Sequence, residues 1–128
     1  MKKVKIYLRA VLQGENEKLS LFDSNDQADF NNLVSQAYPG DVIIWTPDSK
    51  SGISEINSVK AKGKEVIPFN PKKRLFCKGF KYCVPKDAKA QLPEGQKEVD
   101  IIYDIEYTRN GKKESILLDP TIKVKIPD

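Results

Sequence analysis

Apolar and polar residues alternate with a period of two along much of this chain, which is the spacing of a strand with one face in a core and one in water. Val4, Ile6, Leu8, Ala10 and Leu12 alternate with Lys3, Lys5, Tyr7, Arg9 and Val11. Val99, Ile101, Tyr103, Ile105 and Tyr107 alternate with Glu98, Asp100, Ile102, Asp104 and Glu106, and Ile122, Val124 and Ile126 repeat the pattern. Shorter candidate strands cover 18–22, 41–46, 53–60, 64–69, 80–84 and 114–118. The alternation predicts antiparallel sheets covered on one side only.

Turn residues fill the gaps. Asn110-Gly111 is a strong hairpin signal, because a type I′ turn needs positive φ at both central positions. Pro39-Gly40, Pro47-Asp48, Ser51-Gly52, Asn70-Pro71 and Pro93-Glu94-Gly95 punctuate the rest. Many short strands with regular turns predict an all-β, Greek-key β-sandwich. With 128 residues and no linker or repeat, a single β-sandwich domain over residues 1–128 is expected.

One stretch departs from the period. Phe30, Leu33, Val34 and Ala37 fall at helical spacing, and Ser24 with Gln27 resembles a capping box, which predicts one short helix near residues 26–37. The alternative is an irregular crossover with one strand-like piece, since Asn31-Asn32 favours turns.

The chain contains no histidine. Ser-His-Asp and Cys-His catalysis, histidine-ligated zinc and blue-copper sites are therefore excluded. Asp104 and Glu106, two apart on one strand, would stand roughly 7 Å apart, a spacing some glycosidases use. Alternation alone produces that spacing, so a solvated strand face is the expectation. The run from Asp23 to Asp29 begins like a calcium loop. Ala28 stands where such a loop needs glycine, and Val34 where it needs a bidentate glutamate.

The segment Tyr38-Pro39-Gly40-Asp41-Val42-Ile43-Ile44-Trp45 resembles the Pro-Gly-Asp-x-Val-x-Trp strand opening of cupredoxin-like domains. The closing arrangement is similar to theirs as well: Tyr103-Asp104-Ile105-Glu106-Tyr107, a loop, then Asp119-Pro120-Thr121-Ile122-Lys123-Val124. Where that family places its copper-ligating Cys, His and Met, this chain reads Thr108 to Ser115, with no thiolate, imidazole or thioether. The resemblance thus implies a cupredoxin-like sandwich without copper ligands, with no metal site and no cofactor.

Cys77 and Cys83 form a candidate redox pair. With Gly79 at a tight turn they could meet across a hairpin, and Lys78 and Lys81 would favour the thiolate. Their spacing matches no redox motif, so two buried or half-buried free thiols are the plainer expectation.

Charge is more informative. Residues 60–89 hold ten basic side chains and two acidic ones, a local charge of +8 in a chain of net charge +4. Lys72, Lys73, Arg74, Lys78, Lys81 and Lys86 lie at the centre of this segment, interleaved with Phe69, Phe76, Phe80 and Tyr82. These six cations are the candidate binding residues, facing a partner protein or other acidic macromolecule. A nucleic acid is the second candidate partner, less favoured at a pI near 9.0. The competing expectation is solvated lysines over core aromatics. No apolar run approaches the roughly 20 residues that cross a bilayer, and the basic opening lacks a signal-peptide h-region. A cytoplasmic protein with no membrane partner is expected, a non-enzymatic binding module.

Overall fold

The alternation resolves into strands that cross repeatedly between two sheets. In chain order they are β1 (Lys3–Gln13), β2 (Asn16–Asp23), β3 (Ala28–Asp29), β4 (Val34–Ala37), β5 (Val42–Pro47), β6 (Ile53–Ala61), β7 (Lys72–Lys73), β8 (Phe80–Cys83), β9 (Glu98–Arg109), β10 (Lys112–Ser115) and β11 (Thr121–Lys125). A 3-10 turn at Ser49–Ser51 and a one-turn helix α1 (Ala88–Gln91) complete the set. The computed structural model describes residues 2–13, 16–23, 28–29, 33–64, 66–76, 78–116 and 120–127.

One sheet has the order β3-β2-β1-β5-β8-β7. The other has β10, β11 and β6 around the long strand β9, with β4 beyond β11. Both are mixed: β1 runs parallel to β5, and β11 parallel to β4, while the other pairs are antiparallel. The result is an all-β sandwich.

Helical spacing misleads at residues 26–37. Val34–Ala37 is a strand in register with Thr121–Val124, and its burial alternates, with Ser35 and Ala37 inside and Val34 and Gln36 outside. Strands at Ala28–Asp29 and Val34–Ala37 stand where the helix was expected; Ser24, Gln27, Phe30, Asn31 and Asn32 lie outside the described residues. Leu33 and Ala37, four apart, satisfy either period, while Val34 fits only the helical one; pairing with β11 decides for the strand and leaves Val34 outside.

Residues 64–69 also differ from expectation. Ile67 and Phe69 point inward and Lys64, Val66 and Pro68 outward, yet the described residues of this segment join no sheet. Pro68 has no N–H to give a ladder, and its carbonyl instead accepts the Tyr82 hydroxyl at 2.5 Å. Asn110-Gly111 does what its chemistry requires: φ is +50° and +80°, and Arg109 pairs directly with Lys112.

The inner faces meet around an aromatic cluster. The Trp45 ring of β5 stands edge-on to Tyr103 of β9 at 5.4 Å and to Phe69 at 6.2 Å; Phe69 lies 4.7 Å from Tyr82 of β8. Contacts of this geometry contribute about 0.5–1.5 kcal/mol each beyond area burial. Val4, Ile6, Leu8, Ile43, Ile56, Ile105, Ile122 and Val124 fill the space on either side.

Asp41 ties the near end of the first sheet. Its buried carboxylate accepts the Lys2 N–H at 3.0 Å and the Tyr38 N–H at 2.9 Å, so one side chain satisfies the chain before β1 and the turn before β5. Asp41→Asn would present an amide N–H to one of two donors. We expect a loss of about 1–3 kcal/mol in chemical denaturation, with strand content unchanged in the folded baseline.

Tyr107 gives a pH signature. Burial, then the nearby negative charge of Glu114, raises its phenol to about 12. A pKa above the usual value stabilises the fold below about pH 10, and that contribution is lost as pH rises through 12. Ultraviolet titration of phenolate should show Tyr107→Phe removing one transition near pH 12.

Candidate functional site

Strand pairing turns a linear run of lysines into an arrangement across a sheet. Residues paired across strands share a face. Lys5 pairs with Ile44, Ile44 with Lys81, and Lys81 with Lys72, which makes one outward row across β1, β5, β8 and β7. The next row reads Lys3, Val42 and Cys83. Val42 and Ile44 face outward yet are only 6% and 7% exposed. Strands lie about 4.8 Å apart, so the lysine side chains flank this narrow apolar strip.

No carboxylate occupies the outward positions of β1, β5, β7 or β8 in these rows. Lys72 and Lys81 are directly opposite one another and both exposed, a placement that costs stability in a sheet. Arg9, further along the same face, is already engaged. It lies 5.1 Å from the Phe22 ring and 5.9 Å from the Tyr7 ring, and 3.5 Å from Asp48.

The opposite face is balanced. Glu98, Asp100 and Asp104 of β9 stand beside basic residues, with Lys123 3.7 Å from Glu98 and 3.8 Å from Asp100, and Lys62 3.0 Å from Asp104. Asp104 and Glu106 therefore belong to a solvated, ion-paired strand face.

The six predicted cations separate. Lys72 and Lys81 share the outward row. Lys73 turns to β6, where its ammonium contacts Glu55 at 2.8 Å. That hydrogen bond and the lysine charge hold the Glu55 carboxyl below the usual carboxylate range. Arg74 and Lys78 belong to the loop between β7 and β8. Lys86 sits beyond the other end of β8, beside Gly40.

The β7–β8 loop has a fixed base. The Arg74 N–H donates to the Gly79 carbonyl at 2.9 Å, and the Ile56 N–H donates to the Lys78 carbonyl at 2.9 Å. Gly79 lies against β5 so closely that a Cβ there would fall 2.0 Å from the Trp45 carbonyl oxygen. Beyond this base, Leu75 is 90% and Phe76 94% exposed.

Cys83 is a free, exposed thiol on the outward face, not the buried or half-buried packing residue expected, because β8 places Phe80 and Tyr82 inward. Cys77 lies outside the described residues, as do most of the residues resembling a calcium loop. Among the described residues, no group of three Cys, Asp or Glu converges as a metal site. Thr108 to Ser115 forms the β9–β10 hairpin, with the Thr108 hydroxyl 2.9 Å from Asn57 Oδ1 and Arg109 Nε donating to the Ser51 carbonyl at 2.9 Å.

Two parts of this surface are invisible to a count of charge along the chain. Lys3 and Lys5 join it through the parallel β1–β5 pairing, although alternation alone places them outward. Phe76, expected among the core aromatics, is exposed; only Phe69, Phe80 and Tyr82 are buried. No protein-family model matches the chain, and no curated protein matches it in sequence.

Gly79→Ala tests the loop base. Overpacking against the β5 backbone should cost about 1–3 kcal/mol and lower Tm.

Proposed function

We propose that this chain is a non-enzymatic binding module that docks an acidic surface on the outer face of its first sheet. The observation that carries this reading is the Lys72–Lys81 pair, two exposed like charges held directly opposite each other on the outward face. Folding alone disfavours that placement. A bound anionic surface would convert the repulsion into attraction and accelerate encounter.

The opposite face supports the same reading, since Lys62 and Lys123 there already have carboxylate neighbours. A single-stranded nucleic acid is less well served: of the aromatics interleaved with the lysines, Phe69, Phe80 and Tyr82 are buried in the core, and Phe76 alone is exposed for stacking, where successive bases need successive rings. Within this reading the frame is cupredoxin-like, as the Pro39-Gly40-Asp41 opening of β5 supports, and it works without a metal or cofactor. A reducing, cytoplasmic setting accords with the free thiol of Cys83.

The test compares two triple substitutions that change net charge equally. Lys3→Glu/Lys72→Glu/Lys81→Glu should elute from immobilised polyglutamate at far lower salt than Lys60→Glu/Lys112→Glu/Lys113→Glu. Equal elution would mean that net charge, not a particular face, governs contact, and the reading would fail.

A further inference from the structure

We propose that the acidic surface is an anionic lipid bilayer and that Leu75 and Phe76 insert into it. This inference rests on the cationic face described above and names its partner. Two adjacent large apolar side chains at 90% and 94% exposure are unusual on a folded surface, where apolar area normally finds cover.

Their exposure is built into the loop. Gly79 is pressed against the Trp45 carbonyl, Lys78 accepts from Ile56, Arg74 donates to Gly79, and Lys73 contacts Glu55. These four contacts fix both legs while Leu75 and Phe76 stay almost fully exposed. An exposed apolar pair of this kind is covered either by a matching pocket or by a surface that deforms around it. A bilayer interface deforms.

The charge distribution fits that interface. Lys72 lies three residues before Leu75, Lys81 five residues after Phe76, and exposed Lys78 lies between. Three extended residues span roughly 10 Å, while interfacial apolar groups sit about 5–10 Å below the headgroups. That spacing keeps Lys72 within reach of the lipid phosphates and carboxylates when Leu75 and Phe76 are inserted. Docking of this kind asks for no spanning segment, and among the described residues no helix is long and apolar enough to cross a membrane.

The experiment is co-sedimentation of the full chain with two kinds of vesicle. One is phosphatidylcholine alone; the other mixes phosphatidylcholine and phosphatidylserine at roughly three to one. Wild type should pellet with the mixed vesicles and stay in solution with the neutral ones. Lys72→Ala/Lys81→Ala should weaken binding about 30-fold, from about 1 kcal/mol per lysine near an anionic surface. Leu75→Ser/Phe76→Ser should weaken it at least about tenfold and leave polyglutamate retention unchanged.

Phe76→Trp supplies an independent readout, because the only native tryptophan is buried in the core. Its emission should shift to the blue with mixed vesicles. Sedimentation without that shift, or undiminished binding by the serine variant, would overturn insertion. Equal binding to neutral vesicles would overturn the anionic requirement. Retention on polyglutamate without vesicle binding would overturn the lipid assignment, pointing to an acidic protein, and leave the cationic-face reading standing. Loss of both would remove the two together.

Discussion

Strand β5 is the constraint on which the rest of this structure depends. Its inward Trp45 packs edge-on against Tyr103 and joins the two sheets at their aromatic centre. Its backbone pairs with β1 on one side and β8 on the other, and the Trp45 carbonyl is the wall against which Gly79 closes the β7–β8 loop. Its outward Ile44 lies between Lys5 and Lys81, and its outward Val42 between Lys3 and Cys83. One strand thus supplies the core contact, sets the register of the cationic rows and fixes the base from which the apolar tip projects.

That dependence explains how one sheet combines a packed inner face with a cationic outer row. The core is conventional: buried apolar side chains from both sheets with few polar atoms among them. The stability it provides allows Lys72 to face Lys81 and leaves Leu75 and Phe76 uncovered. Asp41 and the Lys73–Glu55 pair use charge differently, each spending a carboxylate on local order. The two kinds of cation, those absorbed into the fold and those presented outward, are distinguishable only once the strands are paired.

How much was legible in the sequence follows from the range of the interactions concerned. Alternation located β1, β9 and β11, and Asn110-Gly111 located its hairpin, because both signals are local. The helical spacing of Leu33, Val34 and Ala37 was overruled by a parallel partner almost ninety residues away in sequence. The basic segment was visible as composition, but Lys73 and Lys86 belong to other surroundings while Lys5, far upstream, belongs with Lys81. Phe76 looked like a core aromatic because no local pattern distinguishes it from Phe80. Only the closure of Gly79 on β5 places one outside and the other in.

The central claim is that contact is confined to one sheet face and its projecting tip. Residue-resolved NMR of the isotopically labelled chain, titrated with small bicelles containing phosphatidylserine, addresses it most directly. The account predicts that amide shifts change at Lys3, Lys5, Lys72, Leu75, Phe76 and Lys81 and remain fixed along β9 and β11. Changes centred on β9 and β11, or spread evenly over both sheets, would contradict it.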